Sequence, residues 1–235
     1  MAEETMSRIY IKVPLERAGA LIGDKGGTKV ELEKGTGTTI TVDGVSGDVT
    51  IESRAGNVDP SGVLKARDIV NAIGRGFSPQ RAFRLFTDGQ LIEIIDLKHA
   101  LGDSRNAIQR IKGRIIGENG KTRRIIEGLT GTAVSVYGHT VAIIGEYDEI
   151  LVAKEAIAML VKGAMHGSVY RYLNKEHVEL KKRKMSLWEV RPELKIILKE
   201  TPGKQGREDA EVEEKESGYE DEDENANAEE KGIKG

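Results

Sequence analysis

An internal repeat constrains this chain more than any other feature. Residues 19–44 and 113–138, laid over one another without gaps at an offset of 94, agree at eleven of 26 positions. The shared residues are Gly19/Gly113, Ile22/Ile116, Gly23/Gly117, Gly26/Gly120, Thr28/Thr122, Glu33/Glu127, Thr36/Thr130, Gly37/Gly131, Thr38/Thr132, Val42/Val136 and Gly44/Gly138. Chance would supply about two at ordinary residue frequencies. A chain of 235 residues has room for one large or two small domains, and the repeat selects two copies of one fold.

Each copy predicts the same order of elements. In the first, residues 8–13 alternate Ile9, Ile11 and Val13 with Tyr10 and Lys12, the period of a half-buried strand. Pro14 ends it. Residues 15–22 and 27–34 read as helices separated by Gly23-Asp24-Lys25-Gly26, with Gly35 and Gly37 suited to the C-terminal cap. Residues 38–42 alternate again, Asp43-Gly44 signals a turn, and 48–51 return as a short strand. Residues 57–60 read as a loop, Ser61 as an N-cap and 63–73 as an amphipathic helix. The second copy repeats this with strand 91–97, helices 104–116 and 121–128, hairpin strands 133–137 and 141–144, and a helix from near Tyr147. The order is β-α-α-β-β-α twice. Between the copies, residues 78–86 predict a short helix and 87–89 a turn.

Composition removes several function classes. Cysteine is absent, which excludes disulfides, thiolate metal sites and cysteine nucleophiles. No apolar run approaches the ~18 residues of a membrane span, and the first ten residues hold no secretory apolar region. A soluble cytoplasmic protein with no membrane association is expected. The net charge of −3 divides unevenly. Residues 204–235 hold 5 basic and 13 acidic side chains, a net of −8. Subtracting these from 36 and 39 leaves 31 basic and 26 acidic, a net of +5, for residues 1–203. The block Glu220-Asp221-Glu222-Asp223-Glu224 cannot bury enough apolar surface to offset its ordering entropy, so a disordered acidic tail is expected over 204–235.

The glycines carry the chemistry. Six Gly-x-x-Gly pairs occur, against about three expected by chance. Only Gly23/Gly26 and Gly117/Gly120 lie between two predicted helices with a basic residue three positions on, Lys29 and Arg123. Two helices meeting at such a turn bring a helix N-terminus and free backbone amides to one spot. Glycine lets a sugar-phosphate chain approach the backbone closely. The neighbouring strand offers an apolar wall for bases, Ile40 and Val42 in one copy, Val134 and Val136 in the other. The expectation is a narrow cleft for about four single-stranded nucleotides. Lys25 offsets Asp24 in the first loop. Glu118-Asn119 has no basic residue in the second, where Arg110, Lys112, Arg114, Lys121, Arg123 and Arg124 crowd around instead. Tighter binding is expected at the second copy. Asp in place of Gly117 or Gly120 should put an anion in the cleft and leave the fold intact.

Ile22-Gly23-Asp24-Lys25-Gly26-Gly27 and Ile116-Gly117-Glu118-Asn119-Gly120-Lys121 resemble the GxxG loops of tandem type I KH domains. The Thr-Gly steps at Thr36-Gly37 and Thr130-Gly131 match the family's habit of ending the second helix. A closer resemblance, over about residues 6–184, is to the archaeal KH-domain RNA-processing family, counterparts of the eukaryotic partner-of-Nob ribosome-assembly protein. It rests on the run 110–117, Lys121-Thr122-Arg123-Arg124, the run 136–145, and His166-Gly167 with Val169-Tyr170. The resemblance implies an α+β fold of two type I KH domains, each a three-stranded antiparallel sheet packed on helices. It implies binding of single-stranded RNA near the 3′ end of small-subunit ribosomal RNA, with no catalysis and no cofactor or metal. It also implies an rRNA-maturing endonuclease and the α subunit of translation initiation factor two as partners. Carried onto this sequence, the RNA-binding residues are Gly23, Asp24, Lys25, Gly26, Lys29, Arg114, Gly117, Glu118, Asn119, Gly120, Lys121, Arg123 and Arg124. The alternative is a protein adaptor with little RNA affinity of its own.

Other features weigh less. Gly120-Lys121-Thr122 ends like a P-loop, but Ile115 stands where that motif needs glycine. The four histidines are scattered without metal-ligand spacing. Lys181-Lys182-Arg183-Lys184 is either a solvated helix end or an electrostatic extension of the RNA footprint. The acidic tail serves solubility or competes with RNA for the basic body. The expected division is a first KH domain over 6–77, a linker over 78–89, a second KH domain with a helical extension over 90–184, a short apolar segment over 185–203 that folds back on the body or docks a partner, and the tail.

Overall fold

The computed structural model describes residues 8–54 and 61–188. The expected loop at 57–60, most of the apolar segment and the acidic tail lie outside the described residues.

The first module is β1 (Arg8–Lys12), α1 (Leu15–Ile22), α2 (Gly27–Thr36), β2 (Thr38–Val42), β3 (Asp48–Ser53) and α3 (Ser61–Gly74). Its antiparallel sheet has the order β1-β3-β2. Ile9 faces Ile51 and Ile51 faces Ile40, so one apolar row crosses all three strands. Leu21, Leu32, Ile69 and Ile73 close over that row from the helices, all fully buried. Each contributes about 1.5–3 kcal/mol by leaving water. Helix α2 runs two residues past its sequence expectation and ends on Gly37, whose left-handed conformation (φ 65°) returns its amide to the Glu33 carbonyl. Gly35 lies inside this helix and not in its cap; the Phe86 ring packs against it, and a Cβ there would sit 2.6 Å from the ring edge.

A connector of α4 (Pro79–Ala82) and a 3-10 turn (Phe83–Phe86) follows. It is more than a tether, since Ala82 and Leu85 are buried.

The second module is β4 (Leu91–Asp96), α5 (Leu97–Leu101), α6 (Arg105–Ile116), α7 (Lys121–Thr130), β5 (Ala133–Tyr137), β6 (Thr140–Gly145) and α8 (Tyr147–Val161), with the sheet order β4-β6-β5. Helix α6 begins one residue later than its sequence expectation, because Ser104 caps it, its hydroxyl accepting from the Ala107 amide. Two elements enlarge the basic order. The short α5 begins on Asp96, which caps it through the Lys98 amide. The 23-residue α9 (His166–Trp188) packs along α7 and α8. No described helix is long and apolar enough to cross a membrane.

The two modules share a core. Ala133, Ala142 and Ile144, on one face of the second sheet, join the first module's apolar cluster with Phe77, Ala82 and Leu85. Val134, Val141 and Ile143, on the other face, join the second module's own helices. The central strand β6 is therefore buried on both sides. Polar contacts lock the junction. Ser135 donates to the Arg75 carbonyl at 2.9 Å, the Tyr137 hydroxyl meets Glu16, and Arg81 pairs with Glu127. Arg17 lies over the Tyr137 ring at 6.0 Å and donates to the Ile73 and Phe77 carbonyls, at 2.9 and 2.5 Å.

Candidate nucleic-acid interface

Each glycine loop joins the first two long helices of its module. The α1 helix closes on Gly23, whose amide bonds to the Gly19 carbonyl at 2.9 Å. Residues 24–26 then make one 3-10 turn, and Gly26 opens α2. The second loop follows the same path, with Gly117 bonded to Gly113 at 2.8 Å and Gly120 opening α7. The two backbones nearly coincide. Gly23 and Gly117 have φ 74° and 72° with ψ 179° and 175°, a region essentially open to glycine alone. Gly26 and Gly120 are left-handed at φ 80° and 77°. The tips, Lys25 and Asn119, both sit at φ 48°.

Function and fold divide the loop glycines unequally. A Cβ on Gly117 would come within 2.7 Å of the Thr122 amide nitrogen and 2.8 Å of its Cβ, with the hydroxyl nearer still. Gly23 meets Thr28 in the same way. A Cβ on Gly26 or Gly120 meets nothing within 4 Å. Gly117→Asp would thus strain the fold, against the sequence expectation, while Gly120 faces open space. Helices α2 and α7 begin without side-chain caps; the Gly27 and Lys121 amides turn back to the Asp24 and Glu118 carbonyls, and the positive end of each helix dipole still faces the loop, where it favours an anion.

The cations around the loops differ in freedom. Lys25 and Lys121 are exposed and have no ion-pair partner among the described residues. Lys29 lies 3.8 Å from Glu33. Arg124 donates to the Asn119 carbonyl at 3.1 Å and braces the loop tip. The Arg123 Nε is buried with no hydrogen-bond partner. Arg114 turns away from the tip and donates to the Ala164 carbonyl before α9. Residues 117–121 and Arg124 therefore gather at one loop, Arg123 has its Nε buried, and Arg114 stands one turn back along α6.

The apolar wall is narrower than the sequence suggested. Ile40 and Val134 are fully buried in the module cores and cannot meet a base. Val42 and Val136 remain partly accessible. The basic run 181–184 is also partly spent: Lys184 binds Glu149 at 2.7 Å and Glu146 at 3.1 Å, and Lys182 binds Glu179 at 3.1 Å.

Sequence reasoning missed the support behind the second loop. The Thr122 hydroxyl, beneath Gly117, lies 2.9 Å from the Tyr170 hydroxyl of α9. His177 bonds the Leu129 carbonyl at 2.7 Å near the end of α7, and His166 bonds the Arg114 carbonyl at 3.0 Å. Among the described residues, the first module has no counterpart of α9. The described residues hold no group of three or more potential metal ligands.

Comparison with known proteins agrees with this architecture. Residues 8–72 match the KH domain family, and residues 91–178 match the eukaryotic type KH-domain (KH-domain type I) family. A KH domain-containing protein of Methanocaldococcus jannaschii is 47% identical over 178 residues, covering 76% of this chain and 78% of that protein. The pre-rRNA-processing protein PNO1 of Chaetomium thermophilum is 34% identical over 129 residues, 53% of this chain. The match spans about half of that relative, 49% of its length. A chain in the crystal structure of an a/eIF2alpha–aDim2p–rRNA complex from Pyrococcus horikoshii is 51% identical, with a TM-score of 0.71, covering 75% of this chain and 97% of that one. With two KH modules in one order and this extent of likeness, the chain belongs to the tandem KH-domain family, as an archaeal counterpart of PNO1.

Proposed function

We propose that this protein is a non-enzymatic, single-stranded RNA-binding protein of the cytoplasm that acts in small-subunit ribosomal RNA processing and ribosome assembly, binding near the rRNA 3′ end. The carrying observation is the duplicated loop. Twice, an uncapped helix N-terminus opens on a left-handed glycine with nothing within 4 Å of where its side chain would stand. Phosphates can approach the positive ends of α2 and α7 there, and β2 and β5, which follow these helices in the chain, are edge strands of their sheets. The structure of a relative in a complex with rRNA supports RNA as the ligand.

The same complex contains a/eIF2alpha, which favours a second role: holding the α subunit of translation initiation factor two beside the bound RNA. The rRNA-maturing endonuclease stands as a further partner in this proposal.

Lys25→Asp and Asn119→Asp test the RNA-binding function. Both positions are exposed loop tips at positive φ. Asp tolerates that conformation better than Lys and nearly as well as Asn. Each variant should stay folded and set a carboxylate against the incoming phosphate. In fluorescence anisotropy with single-stranded RNA of the rRNA 3′ end, Asn119→Asp should weaken binding at least about tenfold, and the double variant should weaken it further. Wild-type affinity in the double variant would overturn the proposal.

A further inference from the structure

An open cleft of about 880 Å³ lies where the C-terminal end of α6 meets the start of α9. Arg114, Met165, His166, Gly167, Ser168 and Arg171 line it, and none of its lining residues is a carboxylate. Arg114 reaches it from α6, one helical turn before Gly117. One of its terminal nitrogens is spent on the Ala164 carbonyl, and its Nε is buried without a partner. Arg171 is exposed, with no ion-pair partner among the described residues. The His166 ring is fixed by its bond to the Arg114 carbonyl. The first bonds onto the Met165 carbonyl come from the Ser168 and Val169 amides, which leaves the His166 and Gly167 amides as donors. Met165 is 80% exposed and presents an apolar surface beside these donors.

Two guanidinium groups and a row of amides suit one phosphodiester. An apolar side chain next to them suits the face of a base. We propose that this cleft holds one further nucleotide of the RNA strand, just outside the four clamped at the second glycine loop. Its phosphate lies between Arg114 and Arg171, and its base lies against Met165. Helix α9 then serves the second module as part of its RNA surface as well as its scaffold. This site rests on the RNA-binding function proposed above.

The test compares a tetranucleotide with an octanucleotide of the rRNA 3′ end, using the full chain with Lys25→Asp to silence the first loop. Arg171→Glu perturbs the cleft. Lys175→Glu makes the same charge change on an exposed residue one turn further along α9 and outside the cleft. Arg171→Glu should weaken octanucleotide binding about tenfold and lower its salt slope by about one, with tetranucleotide binding unchanged. Lys175→Glu should weaken octanucleotide binding several-fold less than Arg171→Glu, because Lys175 makes no phosphate contact in the cleft, and should leave tetranucleotide binding unchanged. Equal losses from the two variants, or no loss with Arg171→Glu, would overturn the cleft while leaving the loop's function standing. A parent protein that binds neither RNA would overturn both.

Discussion

The two glycines of one loop should respond to the same substitution very differently. Gly117 has φ 72° and ψ 175°, where an alanine costs about 1–3 kcal/mol in backbone strain. Its new Cβ would also press on the Thr122 amide at 2.7 Å. That nitrogen belongs to the first turn of α7 and cannot swing aside as a side chain would, so relief requires a backbone shift of about 1–3 kcal/mol. Reduced freedom of the unfolded chain returns about 0.4–1 kcal/mol. Gly117→Ala should therefore lose about 3 kcal/mol. Gly120 is left-handed (φ 77°, ψ 14°) with nothing within 4 Å of a Cβ, so Gly120→Ala should lose only about 1 kcal/mol. Gly120→Asn should be nearly neutral, since asparagine enters that region readily. In urea unfolding followed by circular dichroism, a slope of about 2 kcal/mol/M makes the first loss a midpoint shift of about 1.5 M and the second about 0.5 M. Equal shifts for Gly117→Ala and Gly120→Ala would refute the claim that packing against Thr122 distinguishes them.

Two further outcomes follow from the supports of α9. Tyr170→Phe leaves the Thr122 hydroxyl, on a buried residue, without its partner, and should cost about 1–2 kcal/mol; hydrogen exchange should quicken at the start of α7, and unchanged protection there would contradict the bracing role. The Lys184 amine is held above the usual lysine range, chiefly by its bond to Glu149, against a smaller opposing effect of burial and with help from Glu146. A raised folded-state value means the stabilisation is complete below about pH 10 and fades as pH climbs through that raised value. The stability gap between wild type and Lys184→Met should thus hold steady from about pH 7 to 10 and shrink above it, and a gap unchanged at higher pH would refute the pairing.

Much of the fold was legible because its instructions are local and written twice. The repeated Glu33/Glu127, Thr36/Thr130 and Thr38/Thr132 have a shared physical task. Glu33 accepts from the Ile40 amide at 2.8 Å, and Glu127 from the Val134 amide at 2.7 Å. Thr36 and Thr130 each donate to the carbonyl four residues back, at 2.7 Å, and meet the following threonine at 2.8 Å. These residues staple the second helix to the edge strand, which is why a helix-to-strand turn could be placed without any structure. The junction between modules was not legible in the same way. Tyr137 meets Glu16 and Arg17 across about 120 residues of chain, and no spacing rule announces such a pair. Strand β3 alternates as Asp48-Val49-Thr50-Ile51, whereas β6 runs Val141-Ala142-Ile143-Ile144 without alternation, the pattern of a strand covered on both faces. Ile40 and Val134 lie on the core face of their strands: alternation defines two faces, and which of them meets the helices depends on contacts distant in sequence.

The shared apolar cluster bears on how the protein is born. Residues 1–89 leave the ribosome before Ala133, Ala142 and Ile144 have been made, so the Phe77–Leu85 side of the first module emerges with one wall missing. At about 5–20 residues per second, the stretch up to Gly145 takes about 3–11 s to arrive. For those seconds the newborn half displays sticky surface to every neighbour in the cell, and a chaperone that shields nascent chains would find its target there.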